Sequence, residues 1–337
     1  MNSKYKVLVT GAAGFLGSHL VEKLHNLGHT VIGIDNMMGG YKDNIIEGIE
    51  FHELDCCDLQ KVQKIMKGVE IVYHCAATAH EGLSVFSPYE ITKNNYLASV
   101  SIFTAAINNK VKRIVYCSSM ARYGDSKTPF TEDMEPKPID PYAISKVASE
   151  KVLANLCEIN KIEYVIAVPH NIIGPRQRYD DPFRNVVSIM INRMMQGKAP
   201  IIYGDGEQTR CFSYIDDCLS CLIPMLDEKK LNKQIINIGP DEEFVTINKV
   251  AELCSNVTGI NLPPIYKKDR PQEVKHAICS ADKARQLLNY KTKVSLKEGI
   301  QKTFDYIKKR GVKPFEYHIN LEINNDLTPD TWKKKEI

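Results

Sequence analysis

The sequence predicts a doubly wound α/β fold, a parallel sheet with helices on both faces, joined to a smaller lobe built from the second half of the chain. Three observations carry this reading: short β-branched runs alternate with stretches of helical period, a glycine-rich turn links the first run to the first helix, and a carboxylate ends the second run. Residues 6–10 (KVLVT) are apolar and stop at a glycine, and residues 18–27 carry apolar positions at helical spacing before Gly28. Strands are expected again at residues 30–35, 70–75, 113–117 and 163–168. Long helices are expected from Pro88 to about Asn108 and from Pro141 to about Asn160. Ser87, Pro88 and Glu90 read as a capping box for the first of these, and Asp140-Pro141 as the start of the second. From Pro169 onward Pro, Gly and charged loops become frequent and helices shorten, with returning strands such as residues 235–238. The expected division is a dinucleotide-binding domain at 1–169, with segments near 211–240 returning to it, a substrate lobe at 170–312 and a C-terminal extension at 313–337. Residues 314–323 alternate like an exposed or edge strand.

Composition excludes several classes. A chain of 337 residues that is 43% hydrophobic can bury a substantial core. The formal charge of +3, from 44 basic and 41 acidic residues spread along the chain, gives no field for nucleic acid or anionic lipid, and Lys333-Lys334-Lys335 reads as a solvated tail. No leader pattern and no apolar run of membrane length is present, so a soluble, cytoplasmic protein is expected. The ten cysteines are irregularly spaced and mostly lie in apolar segments, as reduced core residues do. Cys218 and Cys221 form a C-x-x-C without a second pair at zinc spacing, so no metal is expected.

The glycines Gly11, Gly14 and Gly17 fall where the first strand turns into the first helix. A diphosphate reaches the backbone N–H groups at the positive end of a helix only if the turn is tight and bare of side chains. Asp35 then ends the second strand, where a carboxylate binds adenosine ribose hydroxyls and repels a 2′-phosphate. The following Asn36-Met37-Met38-Gly39-Gly40 offers no arginine to such a phosphate, which favours NAD over NADP. This is the Rossmann-type arrangement.

Tyr142 and Lys146 stand four residues apart on an expected helix, so both lie on one face. A nearby ammonium favours the phenolate, and this pairing is expected to keep Tyr142 partly ionised as a base. Ser118 and Ser119 follow a strand at its carboxyl end, where ligands of doubly wound sheets gather, and a hydroxyl there is placed to share a substrate proton.

At this point the chain resembles the extended short-chain dehydrogenases/reductases, specifically the nucleotide-sugar epimerases and dehydratases. The ordered motifs are TGAAGFLG (10–17), HCAA (74–77), Asn94-Asn95, SSMARYG (118–124), DPYAISK (140–146), HNIIGPRQ (170–177), YGDGEQTRCFSYIDD (203–217) and RPQEV (270–274). The resemblance implies catalysis by Ser119, Tyr142 and Lys146. It implies an NAD site formed by Gly11, Gly14, Phe15, Leu16, Gly17, Asp35, Asn36, Asp55 or Asp58, Cys56, Cys75, Ala76, Ala77, Tyr142 and Lys146, with Asn95 supporting the backbone and a bound water. It places the nucleotide-sugar substrate against His80, Met120, Asn171, Ile201, Tyr203, Arg210, Arg270, Glu273 and Ala277, with Asn171, Arg210 and Arg270 on the diphosphate. It also implies a homodimer through the two long helices.

Within such a family Tyr142 takes the proton of the sugar 4-hydroxyl while C4 gives a hydride to NAD. Dehydratases resemble one another in an Asp-Glu pair directly after the catalytic hydroxyl, and this chain has Met120-Ala121 there. The 4-keto sugar is then expected to take its hydride back on the other face, which is 4-epimerisation. Ala277 matches a gate beside the C2 substituent, and its small size would admit UDP-GlcNAc/UDP-GalNAc as well as UDP-Glc/UDP-Gal. His170, Arg122 and the long tail depart from the family pattern, and His80 and Arg122 are candidates for selecting an unusual sugar. The other readings are a 4-dehydrogenase or reductase, a 3- or 5-epimerase or a 4,6-dehydratase on a GDP-, dTDP- or uronate-type sugar, and a non-catalytic NAD-binding sensor.

Overall fold

The computed structural model describes residues 4–337. Seven strands form one parallel sheet: β1 (Lys6–Thr10), β2 (Thr30–Asp35), β3 (Glu50–Glu53), β4 (Ile71–His74), β5 (Arg113–Cys117), β6 (Glu163–Pro169) and β7 (Ile235–Ile238), in the order β7-β6-β5-β4-β1-β2-β3. The direction of winding reverses between β1 and β4, so the loops leaving their carboxyl ends part there and open a crevice. Strand β3 was not foreseen from the sequence. Its residues, EFHE, are half-exposed or exposed at the sheet edge and lack the apolar run that marks the buried strands.

Successive strand residues face opposite sides of the sheet, and each side is covered by helices. Val7 and Val9 pack with Leu20 and Leu24 of α1 (Phe15–Asn26), while Leu8 packs on the other side with Ile102, Phe103 and Leu153. The latter three belong to the long helices that follow α2 (Leu59–Ile65) in the chain. Helix α3 runs from Pro88–Thr92 through a π-helical turn, Lys93–Leu97, into Ala98–Asn108, and α4 is Pro141–Asn160. The lobe over the crevice contains α5 (Val186–Met195), α7 (Ile247–Thr258) and, following the short α8 (Asp282–Leu288) in the chain, α9 (Leu296–Arg310); α5, α7 and α9 share a core of Met190, Ile191, Val250, Cys254, Ile300 and Phe304. Between them α6 (Ile215–Leu222) returns to the sheet, burying Cys218 and Cys221 against the α1 side. All ten cysteines are free thiols. No helix of the described residues is long and apolar enough to cross a membrane.

The start of α3 differs from the expected capping box. The Ser87 hydroxyl donates to the Asn320 carbonyl at 2.8 Å, and the Glu90 carboxylate instead accepts from the Asn94 amide at 2.8 Å. The first-turn N–H groups of Tyr89 and Glu90 donate to the carboxylate of Glu322, at 2.8 and 2.9 Å. The cap therefore comes from the C-terminal extension, more than two hundred residues away in the chain, which local pattern reading cannot see.

That extension is not a strand. Its alternating Phe315, Tyr317, Ile319 and Leu321 do pack inward, with Leu83, Phe86 and Trp332, but its backbone bonds go to loops: Glu316 N–H to Asp180 O and Glu322 N–H to Phe86 O. With no ladder partner the alternation marks a strap laid across the lobe junction. Replacing Glu322 by Ala should cost about 1 kcal/mol, the usual loss on removing a helix cap, and thermal denaturation of the variant should show the corresponding fall in Tm.

Candidate active site

The crevice is a cavity of about 460 Å³ between the sheet's carboxyl edge and the lobe. At its floor the turn from β1 into α1 tests whether a dinucleotide fits. A Cβ on Gly17 would stand 2.0 Å from the Gly11 carbonyl oxygen, and one on Gly11, where φ is +71°, would stand 2.9 Å from the Ala76 nitrogen. Only glycine closes this turn. The N-terminus of α1 carries no side-chain cap, so its first-turn amides and positive end face the cavity. Asp35 lines the same cavity, its carboxylate steadied by the N–H groups of Ala13 at 3.0 Å and Met37 at 2.7 Å. A diphosphate on the helix end and a ribose on the carboxylate fit these residues.

The other residues expected around the cofactor fall mainly on this wall. Phe15, Leu16, Asn36, Asp55, Cys56, Cys75, Ala76 and Ala77 line the cavity, and so do Gly14, Tyr142 and Lys146. Of the two aspartates left open, Asp58 caps α2, accepting from Lys61 N–H at 3.2 Å, while Asp55 lines the cavity. Asn95 is not on the wall. It sits in the π-helical turn of α3 and bridges to the loop after β4, its amide exchanging hydrogen bonds of 3.1 Å with the N–H and C=O of Thr78.

Ser119, Tyr142 and Lys146 line the same cavity. Asp140 caps α4 through Ala143 N–H at 2.8 Å, Pro141 fills the first position, and Tyr142 stands in the first turn at the cavity. Ser119 begins a short turn after β5, where its hydroxyl accepts from Ala121 N–H at 3.2 Å and faces the Tyr142 phenol. Lys146 donates to the Cys117 carbonyl at 2.8 Å and lies 5.9 Å from the centre of the Tyr142 ring. Ser118 plays another part. It bonds to the carboxylate of Glu150, which also holds Arg122 through contacts of 3.1 and 3.0 Å.

The protonation states correct an expectation. Burial pushes the Tyr142 phenol well above its ordinary value, Glu81 adds to this when ionised, and the Ser119 hydroxyl and the Arg184 guanidinium work the other way. Burial lowers Lys146 to about 8. These directions favour the neutral phenol: desolvation opposes the phenolate, and the Lys146 nitrogen, 5.9 Å from the ring centre, is already bonded to a carbonyl.

The far end of the cavity carries Ile201, Tyr203, Arg210, Arg270 and Glu273. Arg270 pairs with Glu273 through two bonds of 3.0 and 2.9 Å and stacks on Tyr203, 4.8 Å from the ring centre, with Trp332 of the strap at 6.0 Å on the guanidinium. The Tyr203 hydroxyl meets Thr331 of the strap at 2.6 Å. Asn171 lines the wall with a left-handed backbone, φ +41°, and donates to Cys211 O at 2.9 Å, and Met120 lies beside it. His80 also reaches the wall, its Nε2 held 2.8 Å from the buried carboxylate of Asp181, to which His318 of the strap approaches within 3.5 Å.

The expected wall residue Ala277 and the candidate Arg122 lie off the cavity, as does His170. Ala277 does not line the cavity: it is 6% exposed and packs in the core with Met120, Tyr123 and Phe130, so it gates nothing. Arg122 points away from the sugar end into its ion pair with Glu150. His170 is buried, bonded to Pro240 O at 3.2 Å, with burial lowering it to about 4. The sequence reading also missed Glu81, Arg184 and the strap residues His318 and Trp332. For Arg184 the available signal was the charged stretch Arg176-Gln177-Arg178-Tyr179-Asp180-Asp181-Pro182-Phe183-Arg184.

The fold and this site define an NAD-dependent enzyme of the short-chain dehydrogenase type. Residues 7–239 match the model of the NAD dependent epimerase/dehydratase family, and the chain belongs to that family. It is 35% identical over 307 residues to a putative UDP-glucose 4-epimerase of Methanocaldococcus jannaschii, covering 90% of this chain and 98% of that one. The UDP-glucose 4-epimerase of Thermotoga maritima, solved with UDP-glucose, superposes with a TM-score of 0.85 at 33% identity, covering 90% and 99% of the two chains. The UDP-N-acetylglucosamine 4-epimerase of Methanobrevibacter ruminantium, solved with UDP-N-acetylmuramic acid, gives 0.84 at 30% identity, covering 92% and 100%.

A lysine held near 8 in the fold and at its ordinary 10.5 when unfolded binds fewer protons folded than unfolded between those values. The contribution of Lys146 to stability therefore rises with pH across that window. In denaturant titrations the wild type should gain on Lys146→Met from pH 8 to 10, and a constant difference would contradict the assignment.

Proposed function

We propose that the chain is an NAD-dependent 4-epimerase of UDP-activated hexoses, in which Tyr142 takes the proton of the C4 hydroxyl. The observation that carries this reading is the layout of the single cavity. Ser119, Tyr142 and Lys146 stand at the cofactor end and Arg210 and Arg270 at the other, so one nucleotide-sugar spans a proton acceptor and a diphosphate clamp. Arginine suits the clamp because its planar fork pairs with phosphate oxygens. Glu273 holds that fork oriented until the ligand arrives.

When bound, NAD supplies a hydride acceptor and a positive charge near the phenol. Tyr142 accepts the hydroxyl proton, Ser119 steadies the oxygen, and Lys146 fixes the end of β5 through the Cys117 carbonyl. Met120 and Ala121, directly after Ser119, offer neither proton donor nor acceptor for loss of water, so the ketone is left to be reduced again. Asn95 serves by bracing the Thr78 backbone on the wall. Since Ala277 lies off the cavity, the width available at C2 does not rest on it. The relatives act on both plain and N-acetylated UDP-hexoses by their names, and both pairs belong in the assay. Exposed Tyr89, Leu97 and Ile144 on α3 and α4 support pairing of two chains through these helices.

The test uses UDP-Glc and UDP-GlcNAc, with epimers read by NMR. Tyr142→Phe should lower turnover by at least about a hundredfold, the scale of general acid–base catalysis, with Tm unchanged within a few degrees. Full activity in that variant would end the proposal, as would a wild-type protein that turns over neither sugar.

A further inference from the structure

The cavity holds one carboxyl group that the epimerase chemistry does not use. Glu81 lies on the loop after β4, at the start of the turn Glu81–Ser84, and lines the same cavity as Tyr142 and Ser119. Its side chain is open to the cavity yet lies beneath the protein surface, and among the described residues it has no hydrogen bond or ion pair within bonding distance. The charges that act on it most are Asp140 and Glu273 on the negative side and Arg210 and Arg270 on the positive side, and its own charge acts on Tyr142. The neighbouring Gly82 is close enough to Arg270 that a Cβ there would stand 3.3 Å from the guanidinium. The turn packs on the start of α4, where the Ser84 hydroxyl donates to the Asp140 carboxylate at 3.2 Å, and Gly82 lies against Arg270, so Glu81 falls on the stretch of cavity wall between Tyr142 and Arg270. In a bound nucleotide-sugar that interval is occupied by the hexose ring. Burial and the two negative neighbours raise its carboxyl to about 7, so both protonation states are accessible near neutral pH.

We propose that Glu81 is a second acid–base group that removes and returns a proton on a ring carbon adjacent to C4, while C4 is a ketone. The proposal rests on the 4-epimerase reading, because the ketone made there is what acidifies the neighbouring C–H bonds. The step balances without a further reagent. The C–H bond breaks, its proton goes to the Glu81 carboxylate, its electron pair forms a C=C bond to C4, and the C4=O π pair moves to oxygen, which takes the proton held by Tyr142. Reversal restores the ketone, with the returned hydrogen drawn from a carboxyl that exchanges with solvent. Return on the opposite face would invert that second centre, which makes the chemical class of the extra activity a 3- or 5-epimerisation.

Turnover of UDP-Glc and UDP-GlcNAc in D2O reads this directly. C4 epimerisation returns the same hydride and leaves H4 unlabelled, so deuterium at C3 or C5, found by NMR and mass spectrometry, comes only from the proposed step. The wild type should accumulate one deuterium at one of these carbons, and Glu81→Gln should lower deuterium per C4 turnover by at least about a hundredfold. The ratio corrects for any general loss of activity, and Tm checks the fold. A wild type that completes many C4 turnovers with no ring deuterium overturns the proposal, as does an unchanged ratio in Glu81→Gln. If neither C4 epimer nor reduced cofactor forms, the 4-epimerase reading itself has failed, and this proposal falls with it.

Discussion

The site depends on a phenol that the protein buries before giving it a charge to lose its proton to. Tyr142 is 5% exposed, in the first turn of α4, and the water that would stabilise a phenolate is largely excluded. Among neighbouring charges Glu81, when ionised, opposes ionisation most, and the ammonium of Lys146 is bonded to the Cys117 carbonyl. Such a group is poised against premature ionisation. A positive charge arriving opposite the ring, in a medium where charges are weakly screened, is worth far more than the same charge in water. Gly11, Gly14, Gly17 and Asp35, which would hold NAD, line the same cavity as Tyr142, and the oxidised cofactor would supply such a positive charge there.

Everything else in the fold holds that phenol in place. The winding reversal between β1 and β4 opens the crevice, glycines close the turn beneath it, and the lobe core of α5, α7 and α9 roofs it. The Arg122–Glu150–Ser118 contact is buried next to the triad and fixes α4 against the loop after β5. A buried pair of this kind contributes little net stability but costs several kcal/mol if one partner is lost, which makes it a device for orientation more than for holding the chain together. The strap adds a second fastening. It caps α3 with Glu322, stacks Trp332 near Arg270 and brings His318 to Asp181, so one segment touches the helix start, the Arg270 end of the cavity and the wall near His80.

Much of this was legible in the sequence, and the reasons differ by element. The sheet strands buried on both faces announce themselves as β-branched runs, and the Asp140-Pro141 start of α4 is a local signal that the structure repeats with a 2.8 Å bond. The triad and the glycine turn are legible because their chemistry demands particular residues at fixed spacings. Edge strand β3 was not, since half-exposed EFHE carries no apolar pattern. The cap of α3 was misassigned to Glu90 because its true partner, Glu322, lies beyond any local window. Ala277 was placed at the wall by register with a motif, but the chain turns it into the core beside Tyr123 and Phe130. The ionisation of Tyr142 was misjudged for a related reason: sequence spacing shows an ammonium one helical turn away, and only the fold shows how deeply both groups are buried and what the ammonium bonds to.

The most direct test of the central claim is the titration of Tyr142 itself, followed by NMR of a 13C-labelled ring carbon in protein loaded with NAD+ and in the same protein loaded with NADH. The account predicts that the phenolate appears at distinctly lower pH in the NAD+ form, because the positive ring supplies the charge that Lys146 does not. Identical titration in the two forms, or a phenolate already present near neutral pH in the protein without cofactor, would contradict it.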